Sequence, residues 1–89
     1  MRAINITVWG DVQGVSYRYH AKKMALSLEL TGNCYNSRDG SVKIFIQGDR
    51  EKLDTFLSWV NEGSPMATVN RVDIAETKVD ESIKGFEVK

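Results

Sequence analysis

Residues Ala3 to Trp9 alternate, with Ile4, Ile6 and Val8 on one side and Asn5, Thr7 and Trp9 on the other. A period of two marks a strand with one face buried. Gly10 and Gly14 then interrupt the pattern, and the stretch from Gly10 to Tyr17 reads as a loop. From Arg18 the period changes. Ala21, Met24, Ala25 and Leu28 stand at i, i+3, i+4 and i+7, with Lys22, Lys23 and Ser27 opposite, which predicts an amphipathic helix of about three turns.

A second strand follows near Thr31 to Asn36, then a Ser37-Arg38-Asp39-Gly40 turn, then a strand with Val42, Ile44 and Ile46 facing one way. Asp-Gly between two alternating runs is a hairpin signal. Asp49 fits a helix N-cap, Leu53, Phe56, Leu57 and Val60 form a second helical stripe, and Gly63 fits its C-cap. Val69 to Glu76 reads as a fourth strand and Phe86 to Val88 as a short last one. The order βαββαβ plus a terminal strand predicts an α+β, ferredoxin-like sandwich: an antiparallel sheet with two helices on one face. That architecture carries enzymes, RNA binders, metal carriers and regulatory domains, so function has to be read from a site.

Eighty-nine residues allow a single domain, 1–89, with one core. Lys plus Arg and Asp plus Glu both number 12, a net charge of zero, which gives no general attraction to nucleic acid or to a membrane surface. The one cysteine, Cys34, excludes an internal disulfide and reads as a buried thiol. No window has the continuous apolar length of a membrane span. The N-terminus opens into Ile4-Asn5-Ile6 without the features of a secretion signal. A cytoplasmic, monomeric protein is the simplest expectation.

The linker Gly10-Asp11-Val12-Gln13-Gly14-Val15-Ser16-Tyr17-Arg18 joins the first strand to the first helix. A loop curling at a helix N-terminus points backbone N–H groups at one spot, where the helix dipole favours negative charge. Gly14 supplies conformational freedom, and Arg18 a planar fork matched to two phosphate oxygens. On these grounds alone a plain connector with a surface arginine stays open.

The full string narrows the choice. It resembles the first signature of the acylphosphatase family, G-x-V-Q-G-V-x-F-R with an alanine seven residues after the arginine. Gly10, Val12, Gln13, Gly14, Val15, Arg18 and Ala25 all match it. The second signature, G-x-V-x-N-x-x-D-G-x-V, is met by Gly32, Asn36, Asp39, Gly40 and Val42, and Gly48 matches its closing glycine. The resemblance spans about residues 4 to 88. It implies hydrolysis of carboxylic-phosphoric mixed anhydrides, with a small acyl phosphate as substrate and no cofactor. It further implies that Arg18 and the amides of Gln13, Gly14, Val15, Ser16, Tyr17 and Arg18 hold the phosphate, and that Asn36 positions the attacking water. Four departures stand out: Tyr17 for Phe, Cys34 for Val, Glu29 where a helix-ending Gly is common, and Asp11 beside the anion loop.

The chemistry requires little machinery. A carboxylate is a good leaving group, and the charge to be stabilised sits on phosphate oxygens, so positioning and electrostatics suffice. The sequence accordingly offers no Ser/His/Asp set, CxxC, Walker loop or cluster at metal-ligand spacing. Asn36 is a neutral amide and cannot take the water's proton, which leaves a substrate phosphate oxygen. His20 reads as a surface residue off the apolar stripe and Asp39 as a turn former. Trp9, Tyr35 and Phe45 could line an open sheet face, but Val42 to Ile46 fits an RNA-binding pattern poorly. Two other readings are a phosphate-binding module without turnover, like the acylphosphatase-like domain of larger maturation proteins, and a protein-interaction domain.

Overall fold

A computed structural model describes every residue from Met1 to Lys89. The elements run β1 (Arg2–Asp11), α1 (Tyr17–Ser27), β2 (Thr31–Asn36), β3 (Val42–Gly48), α2 (Arg50–Glu62), β4 (Thr68–Thr77) and β5 (Phe86–Val88). The five strands form one sheet in the order β4-β1-β3-β2-β5. Ile4, Ile6, Val8, Cys34, Val42, Ile44 and Ile46 come from the strands and Ala21, Ala25, Leu53, Phe56 and Val60 from the helices to form one buried cluster. Both helices therefore cover the same face of the sheet. Burial of each large side chain contributes roughly 1.5–3 kcal/mol.

One feature of the expected sheet is corrected. β1, β3, β2 and β4 pair antiparallel, but β5 lies parallel to β2, with Gly32, Asn33 and Cys34 opposite Phe86, Glu87 and Val88. The sheet is mixed because the segment after β4 crosses its far end before β5 begins. That crossing is fixed by the buried Gln47, whose amide donates to Asp80 O at 2.8 Å and accepts from Asp80 N at 2.8 Å. β1 also runs past the expected Trp9 to Asp11, because its pairing with β4 resumes beyond a register shift at Trp9/Gly10. There a Cβ on Gly10 would stand 2.1 Å from Thr68 O, so only glycine lets the two backbones approach.

The helices meet through aromatic packing. The Tyr17 and Trp59 rings lie 5.0 Å apart and Phe56 and Trp59 5.8 Å apart. The hydroxyl that Tyr17 adds over Phe donates to Val60 O at 2.8 Å, so this departure gains a bond between the helices instead of an orphaned polar group. Burial drives the Tyr17 phenol well above its ordinary pKa, and the neighbouring Cys34 adds to the effect. Cys34 is itself buried, as expected, and burial pushes its thiol up to about 11 against the pull of Arg18. Asp49 stands at the N-cap of α2, yet its side chain makes no capping bond. Glu29 takes a left-handed φ of 58° just after α1, the strained conformation that a glycine would adopt freely.

Candidate active site

The β1–α1 connection builds the site. Gly14 has φ 75° and Ser16, the N-cap of α1, has φ 63°. Ser16 is a non-glycine residue held in the left-handed region, a conformation costing of order 1–3 kcal/mol that the surroundings must enforce. Alternation of left- and right-handed residues turns successive N–H groups toward one concavity. The first main-chain bond of α1 runs from His20 N to Ser16 O, and the N–H groups of Gln13 through Tyr19 donate to no acceptor in the protein. The first turn of α1 carries no acidic residue. The positive end of this helix is thus left without a counter-charge of its own.

Three braces hold the loop in this shape. The Gln13 side-chain amide donates to Ser37 O at 2.8 Å and Ser41 O at 2.9 Å, which fastens the loop to both sides of the β2–β3 turn. The buried Ser64 hydroxyl donates to Val15 O at 2.9 Å and ties it to the segment after α2. Val15 packs against the core. The turn itself is locked by Asp39, whose Oδ1 accepts from Ser41 N at 2.9 Å and from Ser41 Oγ at 2.5 Å. Those two bonds hold its carboxyl below the usual range, and they make Asp39 a turn former, as its place before Gly40 suggests.

Arg18 leaves the first turn of α1, and its Nη1 donates to Lys89 O at 2.7 Å. Lys89 N in turn donates to Cys34 O at 2.9 Å. The guanidinium is thereby held against β2 two residues before Asn36, with its remaining donors unassigned. Asn36 ends β2 on the helix-facing side that it shares with Cys34, and it is exposed. It follows the Lys89–Cys34 bond and precedes Ser37, the residue that Gln13 grips.

A cleft of about 360 Å³ opens over this arrangement, and Gly14, Ser16, Tyr17 and Arg18 are among its walls. The structure thus brings four of the seven expected site residues to one cavity. Gln13 and Val15 brace the loop from outside it, and Asn36 stands beyond its walls. The Tyr17 side chain is buried in the core, which leaves only its N–H for an anion. Asp11 is exposed and forms no wall of the cleft, so its charge does not occupy the anion site. His20 is a partly exposed surface residue, as expected, and its Nδ1 lies 2.8 Å from Ser16 O. Tyr19, Lys22 and Val88 also line the cleft. Of these, Lys22 was legible: it stands at i+4 from Arg18, and such residues share a helix face.

The acylphosphatase family model matches residues 4–88. An acylphosphatase of Shewanella amazonensis is 41% identical over 88 residues, covering 99% of this chain and 97% of its own. The crystal structure of acylphosphatase from Bacillus subtilis superposes with a TM-score of 0.95 at 32% identity, over 100% of this chain and 99% of that one. The crystal structure of full-length HypF in a phosphate- and nucleotide-bound form superposes with a TM-score of 0.91 at 25% identity, over 99% of this chain but 12% of that one. With the family model spanning nearly the whole sequence, this chain belongs to the acylphosphatase family.

Proposed function

We propose that this chain hydrolyses acyl phosphates to a carboxylate and inorganic phosphate, acting as a monomeric cytoplasmic enzyme over residues 1–89. The observation that carries the reading is the run of unpaired N–H groups from Gln13 to Tyr19 beside the anchored Arg18 guanidinium. The phosphoryl group sits in that concavity. Loop amides and the free donors of Arg18 take its oxygens, each charge-assisted bond contributing roughly 1.5–3 kcal/mol. The Asn36 amide orients a water for in-line attack on phosphorus. The new P–O bond forms as the P–O bond to the acyl group breaks, the electron pair leaves with the carboxylate, and a phosphate oxygen takes the water's proton. No enzyme group has to change protonation state.

Phosphate release from benzoyl phosphate, followed with and without EDTA, tests this directly. Turnover is expected to be the same in both, since loop amides and Arg18 provide the positive field. Loss on chelation that one divalent ion restores would overturn the mechanism. Phosphate binding without any turnover would favour the module reading, to which the match with a segment of HypF lends a precedent in fold.

A further inference from the structure

The phosphate contacts proposed above account for only one end of the cleft. Its other walls are the buried Val12 of the loop and Tyr19, Lys22 and Val88, from the exposed side of α1 and from β5. Arg18 and Lys22 are separated by four residues on α1, so Lys22 sits roughly 6 Å further along the helix axis on the same face. Two exposed apolar side chains share the cleft with them. Tyr19 is 59% exposed and Val88 37%, although both are large hydrophobic residues. The Tyr19 ring is held by an edge-on contact with His20 at 5.4 Å and by the Lys23 ammonium 5.6 Å from its centre.

Lys22 has no carboxylate partner. The ion pairs of the molecule are Arg2–Glu76, Lys52–Glu29 and Arg71–Asp73, and Lys22 makes no side-chain hydrogen bond. An unpaired ammonium on a cavity wall, one helical turn from a second cation and sharing the cleft with two exposed apolar side chains, matches a ligand of definite form. That ligand has an anion at each end and an apolar middle.

Resting on the reading of the loop as the phosphoryl site, we propose that Lys22 selects substrates whose acyl half carries a second anionic group, a carboxylate or a phosphate, at its far end. Tyr19 and Val88 flank the apolar spacer. Lys22 touches neither the phosphoryl group nor the water; it is a specificity residue. Because the pair forms in an open cleft, its contribution is modest and screened by salt.

The test compares benzoyl phosphate with 4-carboxybenzoyl phosphate, which differs only in a carboxylate at the distal end of the ring. The readout is the ratio of kcat/KM for the charged over the uncharged substrate; the intrinsic reactivity of each anhydride cancels when this ratio is compared between proteins. Lys22→Gln is expected to lower the ratio roughly 1.5- to 5-fold and Lys22→Glu further, with Lys22→Arg close to wild type. The wild-type ratio should also fall as ionic strength rises while that of Lys22→Gln stays flat. A thermal melt checks that the variants fold, and the exposed position of Lys22 makes them tolerable. An unchanged ratio in Lys22→Gln, or an equal fall for both substrates, overturns the proposal. If wild-type protein cleaves neither substrate, the phosphoryl-site reading itself fails, which is a separate outcome.

Discussion

The two helices begin in opposite ways. α2 starts at Asp49, whose backbone is extended (φ −66°, ψ 143°), and carries Glu51 between Arg50 and Lys52 in its first turn. α1 starts at Ser16 in a left-handed conformation, has no acid in its first turn, and carries Arg18 there. Both ends expose N–H groups and the positive pole of a helix dipole. At α2 Asp49 and Glu51 place negative charge near the positive pole, although no side chain caps its first N–H groups. At α1 the chain supplies no acid and holds Ser16 in a strained left-handed conformation. A helix N-terminus is therefore not a site by itself; the missing acid and the left-handed entry are what set α1 apart from α2.

The largest expected effect comes from removing the cation. Arg18→Lys keeps a charge but loses the planar fork and the bond that anchors it to Lys89 O. Activity should nearly vanish, and competitive inhibition by inorganic phosphate should weaken with it. Wild-type phosphate inhibition in this variant would remove Arg18 from the clamp.

Asn36→Ala comes next and separates chemistry from binding. A group that acts only on the incoming water stabilises the transition state and leaves the bound ground state alone. kcat should drop on the order of 10²–10³-fold, while the inhibition constant for phosphate changes little. A parallel loss of both in a variant whose melt is normal would make Asn36 part of the anion site.

Giving α1 the acid that α2 has is a milder change. Tyr19→Glu places a carboxylate in the first turn of α1, and phosphate inhibition should weaken roughly 2- to 5-fold at low salt. The reciprocal change, Glu51→Gln, should cost less than about 1 kcal/mol of stability and create no phosphate site at α2. Phosphate protection of the Glu51→Gln protein against unfolding, in a protein also carrying Arg18→Lys, would contradict the comparison.

The smallest effect concerns the other end of α1. Glu29, like Ser16, has a left-handed φ, but no function requires it there. Its pair with Lys52 at 2.9 Å is exposed and lowers the Glu29 pKa without adding much stability. Glu29→Gly should therefore stabilise the fold by roughly 0.5–1 kcal/mol, a few degrees in Tm, with activity unaltered. A lower Tm would show that the ion pair outweighs the strain.

Much of this was legible before any coordinates, and what was not follows a pattern. The strands and helices with strong periodicity lie where the alternation of Ile4, Ile6 and Val8 and the stripes of Ala21 and Phe56 put them, because those patterns are set by burial. The parallel pairing of β5 was not legible, since a three-residue strand has no direction in its sequence and Gln47 sets its approach from a distant position. The same limit applied to the site. Gly14, Ser16, Tyr17 and Arg18 are contiguous and carry a recognisable motif. Val88, Lys89 and Ser64 reach the loop only through strand order and the path after α2. The strain at Ser16 left no trace either, because serine at a helix start normally signals an ordinary cap.

Three contacts tie the loop and its arginine to positions far apart along the chain: Gln13 to Ser37 and Ser41, Val15 to Ser64, and Arg18 to Lys89. Such contacts close large loops of chain and form late, after local helices and the hairpin have appeared. The concavity therefore has no partly folded precursor. During refolding, helical signal should return before any turnover does, and catalysis should appear together with the docking of the last strand. For this molecule, recovery of activity is a clock for the final step of folding.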